Sequence, residues 1–243
     1  MANADTNGEA RRIASAHGVI VFDADLLPQA TPALRDPAAW SHVTHLRGRG
    51  GRGGACVVEA EFGQGLLRHH RRGGLIGRWI TDRYVYTGEA ATRCLREFKL
   101  LRHLRELGLP VPRPVFAAWQ RQGLFYRADL MTVLIASAQT LAECLQAGKA
   151  VDWSVVGAML ARFHRAGVFH ADLNAHNILI DAADKLWLID FDRGCLRTPA
   201  ERWQQANLQR LQRSLHKLGH FDEAGWNTLK TAYQHGLNAL GGR

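Results

Sequence analysis

The segment His170-Ala-Asp-Leu-Asn-Ala-His-Asn-Ile-Leu-Ile180 constrains this chain more than any other. Its first eight residues favour local turns, because Asp and Asn side chains hydrogen-bond to nearby backbone. Helical spacing over Trp153–Arg165 precedes it and the apolar run Ile178–Ile180 follows it, so it reads as a loop between a helix and a strand. Thirteen residues past Asn177, a second apolar run, Leu186-Trp-Leu-Ile, ends in Asp190-Phe-Asp192. The fold must therefore set a polar loop beside a short hairpin that ends in carboxylates.

The pattern His-x-Asp-x-x-x-x-Asn in that setting is what phosphoryl transfer requires. Asp172 is placed to accept the proton of an acceptor hydroxyl. Asn177, five residues on, offers a neutral carbonyl oxygen to Mg²⁺, and Asp190 offers a carboxylate that bridges the metal to nucleotide phosphates. A polar loop with turn-forming Asp and Asn and gap-filling histidines explains either segment alone; the two together favour chemistry. His170 reads as a structural residue bonding loop backbone. His164 and His176 have no Cys or His partner at metal spacing.

Upstream, Arg47-Gly-Arg-Gly-Gly-Arg-Gly-Gly-Ala55 matches G-x-G-x-x-G through Gly48, Gly50 and Gly53, where bare backbone amides can approach phosphate oxygens. No Gly-Lys-Ser/Thr follows, so it is not a Walker loop. A strand follows rather than a helix, which argues against a dinucleotide fingerprint. The competing reading is an arginine–glycine segment that contacts RNA, but apolar strands flank it, Cys56–Ala60 and Gly65–Arg68.

A nucleotide-binding lobe of this kind pairs a Lys on its third strand with a Glu on the next helix. Here no Lys occurs before Lys99. Arg68 stands in the matching place, with Glu97 as its helix partner, and an Arg–carboxylate pair holds its charge and can be bidentate. Arg71 or Arg72 takes the role if the strand register shifts.

The remaining pattern is strand-rich first and helix-rich later. Residues 1 to about 18 are polar and expected to be mobile, and Gly18–Leu27 carries a short strand or two. From Glu89 to Leu107 apolar residues recur at helical spacing, with Gly108 as a stop. Three prolines hold Leu109–Pro114 extended before two strands, Val115–Gln120 and Leu124–Leu134. Helices follow at Leu141–Gln146, Pro199–Leu218 and Glu223–Leu237. This predicts an α+β fold of two lobes, 1–132 and 133–243, joined near Met131–Ala136.

The formal charge of the 243 residues is +9, and Arg47–Glu106 alone holds thirteen Arg or Lys against six Asp or Glu. A charge run of that kind calls for an anionic partner. The four cysteines form no Cys-x-x-Cys pair and read as free thiols of a reducing cytoplasm. The N-terminus lacks the apolar core of a signal peptide, and no run approaches the ~18 apolar residues that span a bilayer. Any membrane contact is expected to be peripheral.

These residues together resemble the bacterial Kdo kinases (3-deoxy-D-manno-octulosonic acid kinases) of lipopolysaccharide core assembly, distant relatives of protein kinases. The resemblance runs from about Gly18 to Gly219. It is carried by Leu67-Arg-His-His-Arg-Arg-Gly-Gly-Leu-Ile-Gly77, by His170–Asn177, by Ile189-Asp-Phe-Asp-Arg-Gly194 and by Trp203-Gln-Gln-Ala-Asn-Leu-Gln-Arg-Leu211. It implies a protein-kinase-like fold and transfer of the ATP γ-phosphate, with Mg²⁺, to the 4-hydroxyl of Kdo on a lipid A precursor, Kdo-lipid IVA. It also places the protein at the cytoplasmic face of the inner membrane and makes Asp172 the acid/base residue. Neither a nucleic-acid partner nor an obligate protein partner is expected.

Two departures from protein kinases agree with a small acceptor. Asp192 replaces the Gly of D-F-G, and Asn174 replaces the cation expected two residues after the base. Only about eight residues separate Asp192 from the helix near Ala200, too few for a peptide-docking activation segment. Arg71, Arg72 and Arg78 are assigned to the glycolipid headgroup, and Leu75, Ile76, Trp79 and Ile80 to the acyl–headgroup boundary or to the core. Three other readings stand beside this one: a sugar or aminoglycoside-type phosphotransferase, a basic RNA-binding module, and a nucleotide-binding pseudokinase.

Overall fold

The structure is a computed structural model and describes residues 7–46, 55–70 and 82–239. Gly48, Gly50 and Gly53, and the segment holding Arg71, Arg72, Leu75, Ile76, Arg78, Trp79 and Ile80, lie outside the described residues. The chain divides into two compact units. One is Met1–Glu106 with Pro112–Leu134; the other is Leu107–Val111 with Ile135–Arg243.

The first unit is built on one antiparallel sheet. Its strands are β1 (Ala10–Ser15), β2 (Gly18–Asp23), β3 (Val43–His45), β4 (Ala55–Ala60), β5 (Gly63–His69), β6 (Tyr84–Val85), β7 (Pro114–Gln122) and β8 (Phe125–Val133), in the order β1-β2-β7-β8-β5-β4-β3, with β6 also on β8. The central strands β7 and β8 are buried along most of their length, as their Val, Phe, Ala and Leu content requires. On one side of the sheet, Ile20, Phe22, Leu26, Leu27, Val58, Leu67, Phe116 and Met131 form a single core.

Helix α1 (Arg93–Glu106) supplies Cys94, Leu95, Phe98, Leu101 and Leu104 as its buried stripe and packs on β7. The helical pattern expected from Glu89 is broken: Glu89–Ala91 is a 3-10 turn, because buried Thr92 bonds its hydroxyl back to the Glu89 carbonyl at 2.7 Å. Gly108, at φ 67°, follows α1 as the expected stop.

The expectation of a mobile segment up to residue 18 is corrected for Ala10–Ser15. That stretch pairs residue for residue with β2, from Ala10 with Asp23 to Ser15 with Gly18. All six of its residues are exposed, so it lacks the alternation that marks a strand from sequence; the neighbouring strand, not its own side chains, orders it.

The second unit contains α2 (Leu141–Gln146), α3 (Trp153–Arg165), α4 (Glu201–Leu218) and α5 (Glu223–Asn238). Between them run β9 (Gln139–Thr140), β10 (Val168–Phe169), β11 (Ile178–Ile180), β12 (Leu186–Leu188) and β13 (Cys195–Leu196). Thr140 opens α2 in a capping box with Glu143, so two end amides that no helix bond reaches are satisfied reciprocally. Helices α3 and α5 pack closely because α3 carries Gly157, where an added Cβ would lie 2.2 Å from the Leu229 carbonyl oxygen. No helix among the described residues is long and apolar enough to cross a membrane.

Candidate active site

In the second unit, the loop from His170 to Asn177 joins β10 to β11, and β12 leads into Asp190. Ile189 N–H donates to the Asn177 carbonyl at 3.0 Å, which ties the end of the loop to the residue before Asp190. Asp190 itself is in the left-handed backbone region at φ 63°. Such a conformation is uncommon outside Gly, though Asp tolerates it better than most.

His170 is the internal brace of this loop. Its Nε2–H donates to the Ile189 carbonyl at 2.9 Å, and its Nδ1 accepts from the Asp172 amide at 3.2 Å. Both bonds require the neutral ring, and burial lowers its pKa below the ordinary value, which favours that form. The ring lies 4.9 Å from that of Phe191, which stacks in turn on Phe163 at 6.1 Å. His170 is thus a structural residue, buried and bonded at both ring nitrogens.

Three polar side chains of the same loop are Asp172, Asn177 and Asn174. Asp172 is exposed, with 61% of its side chain accessible. Asn177 is nearly buried, and its amide nitrogen donates to the Asp172 carbonyl at 2.8 Å, so its Oδ1 is the atom left to accept or ligate. Asn174 also donates to the Asp172 carbonyl, at 3.0 Å, and its Oδ1 receives the His176 amide at 2.8 Å. It acts as a turn residue in the place where protein kinases carry a cation.

Helix α4 contributes residues that the sequence reading did not single out individually. Asn207 bonds the His170 backbone twice, receiving its N–H at 3.2 Å and donating to its carbonyl at 3.0 Å. Gln204 donates to the His164 carbonyl at 3.2 Å, and the Ser214 hydroxyl accepts from the Ala175 amide at 3.2 Å. Arg210 lies 3.4 Å from Asp172 Oδ1. The Trp203–Leu211 segment was recognisable as a block; within it Asn207 holds the loop and Gln204 holds the end of α3.

In the first unit, β5 presents Arg68 toward α1, and its Nη2 donates to Glu97 Oε1 at 2.5 Å. The Glu97 side chain is 2% accessible and that of Arg68 25%, so the pair is partly desolvated and worth more than a surface contact. His70 Nε2 is 3.7 Å from the other Glu97 oxygen. Buried Asp129 on β8 is held between Arg35 Nε at 2.5 Å and His69 Nδ1 at 2.6 Å.

A family model for the lipopolysaccharide kinase (Kdo/WaaP) family matches residues 39–233. A 3-deoxy-D-manno-octulosonic acid kinase of Xanthomonas axonopodis pv. citri (strain 306) is 50% identical over 203 residues, which cover 83% of this chain and 82% of that protein. Proteins of the same description from Xanthomonas oryzae pv. oryzae (strain PXO99A) and Stenotrophomonas maltophilia (strain K279a) are 49% and 48% identical, over 83% of this chain and 82% and 81% of their own lengths. The chain therefore belongs to the lipopolysaccharide kinase (Kdo/WaaP) family and is an ATP-dependent phosphotransferase of the protein-kinase-like α+β fold.

Proposed function

We propose that the chain transfers the γ-phosphate of ATP to the 4-hydroxyl of a Kdo residue on Kdo-lipid IVA, in assembly of the lipopolysaccharide inner core, working peripherally at the cytoplasmic face of the inner membrane. The observation that carries this reading is the braced loop of the second unit, which leaves an exposed Asp172 carboxylate five residues before the Asn177 amide oxygen. Near 50% identity to the octulosonic acid kinases supports the acceptor.

Asp172 is the general base. As the acceptor oxygen forms its bond to the γ-phosphorus, the bond from that phosphorus to the β,γ-bridging oxygen breaks, ADP leaves, and the hydroxyl proton passes to Asp172. Asn177 Oδ1 and the Asp190 carboxylate form a hard oxygen donor set, one neutral and one charged, which suits Mg²⁺. Bound there, Mg²⁺ would neutralise charge on the phosphates. In the first unit, Arg68, steadied by Glu97, is assigned the phosphate-binding role of the usual Lys; Gly48, Gly50 and Gly53, expected from the sequence to approach phosphate, lie outside the described residues.

The test is transfer of labelled γ-phosphate from Mg·ATP to a Kdo-bearing lipid A precursor. Asp172→Asn should reduce transfer by about 10²–10⁴-fold with little change in ATP binding. Wild-type hydrolysis of ATP without phosphate on the glycolipid would move the acceptor to another sugar.

A further inference from the structure

Arg210 differs from the other residues on its face of α4. Asn207 and Ser214 bond loop backbone and Gln204 bonds the His164 carbonyl on α3, whereas Arg210 reaches the side chain of Asp172. The positions 204, 207, 210 and 214 fall on one side of the helix, so the cation is presented by the same rigid element that fixes the loop. Its contact is a single one at 3.4 Å, between side chains 47% and 61% accessible. A pair so long and so wet adds little to stability. It does leave most of a five-donor fork turned to solvent beside the base.

We infer that Arg210 is the acceptor's carboxylate-binding residue: it pairs with the acid group of the sugar whose hydroxyl Asp172 deprotonates, and so makes the enzyme specific for a sugar acid. This rests on the reading of Asp172 as base. A guanidinium matches a carboxylate in a bidentate way that an ammonium does not. Its place beside Asp172 puts it next to the acceptor hydroxyl, and Asn174, where a protein kinase would carry its cation, is occupied with the turn. The loose pair with Asp172 would then be the resting arrangement, exchanged for the substrate's carboxylate on binding.

The experiment compares two acceptors, a lipid A precursor bearing one Kdo residue and the same glycolipid with that carboxylate methyl-esterified. Wild type should lose about 10- to 100-fold in kcat/KM on esterification, the loss expected when a charged hydrogen-bonded pair goes unmade. Arg210→Gln should lose a similar factor on the acid acceptor, keep its KM for ATP, and become nearly indifferent to esterification. Arg210→Lys should fall between.

An Arg210→Gln variant that loses equally on both acceptors, or a wild type that ignores esterification, would overturn the assignment and leave Arg210 acting on the phosphoryl group or on the fold. Asp172→Asn separates this from the reading beneath it. Loss of transfer to both acceptors keeps Asp172 as base whatever Arg210 does, and full transfer removes the base itself.

Discussion

The residue that shows most plainly how the His170–Asn177 loop is held is Asn207, a buried amide on α4. Its side chain satisfies both the N–H and the carbonyl of His170, 37 residues earlier in the chain, from a buried position. Replacement by Ala leaves two buried backbone groups without that partner, at about 1–3 kcal/mol for each. Asn207→Ala should lower the thermal midpoint accordingly and reduce kcat more than it changes KM for ATP; an unaltered kcat in a folded variant would mean the loop keeps its geometry without this brace. His164, on α3, gives a pH signature. It lies 2.7 Å from the Tyr233 hydroxyl, and burial pulls its pKa from 6.5 down to about 4. Between those values the unfolded chain binds more protons than the folded one. The contribution is therefore complete above pH 6.5 and shrinks by about 3 kcal/mol as pH falls toward 4. His170, lowered by the same cause, acts in the same direction. Unfolding midpoints of His164→Gln should fall less steeply than wild type between pH 6.5 and 4, and equal slopes would place the acid sensitivity elsewhere.

At the scale of elements, two close approaches decide stability. Gly157 lets α3 meet the backbone of α5, and a Cβ there would sit 2.2 Å from a carbonyl oxygen, an atom that no rotamer change can move. Gly157→Ala should cost about 1–3 kcal/mol despite the better helix propensity of Ala, measurable by urea unfolding. In the first unit, Asp23 at the end of β2 is fully buried and receives Arg113 Nε at 2.9 Å and Nη2 at 3.0 Å, with the Gly8 amide at 3.1 Å. Arg113→Met removes the nearest cation and leaves that carboxylate with Arg102 at 3.8 Å, and should cost about 3 kcal/mol, while Asp23→Leu combined with Arg113→Met should recover much of the loss. A double variant as unstable as the single would point to lost packing rather than to the uncompensated charge. These pairs mark the limit of what the sequence makes legible. Periodicity located α1, α3, β7, β8 and the loop carrying Asp172, because burial repeats along the chain at fixed spacing. It did not locate β1, which has no buried face, nor the use of Asn207, Ser214 and Arg210, which look like the solvated side of an amphipathic helix. Their partners are set by topology at long separation, and local patterning carries no record of that.

For the molecule as a whole, the charge asymmetry is the property with a kinetic consequence. The formal charge is +9, and the excess is concentrated in Arg47–Glu106. Several of those cations are already committed within the first unit: Arg68 to Glu97 and Arg102 near Asp23. The surplus of positive charge remains, since the stretch contains only six acidic residues in all. The proposed acceptor, a lipid A precursor with phosphates and a sugar acid, is expected to be drawn to that excess charge through a field that salt shortens, from about 30 Å at 0.01 M to about 10 Å at 0.1 M. Raising KCl across that range should therefore increase KM for the proposed glycolipid several-fold while kcat stays nearly constant, because encounter is screened and the step proposed at Asp172 is not. The control is the short-range pair proposed at Arg210, whose preference for acid over ester should survive the same salt. A KM for the glycolipid that ignores ionic strength would mean the basic stretch serves ATP phosphates or solubility alone, and acceptor capture would then rest on contacts made at close range.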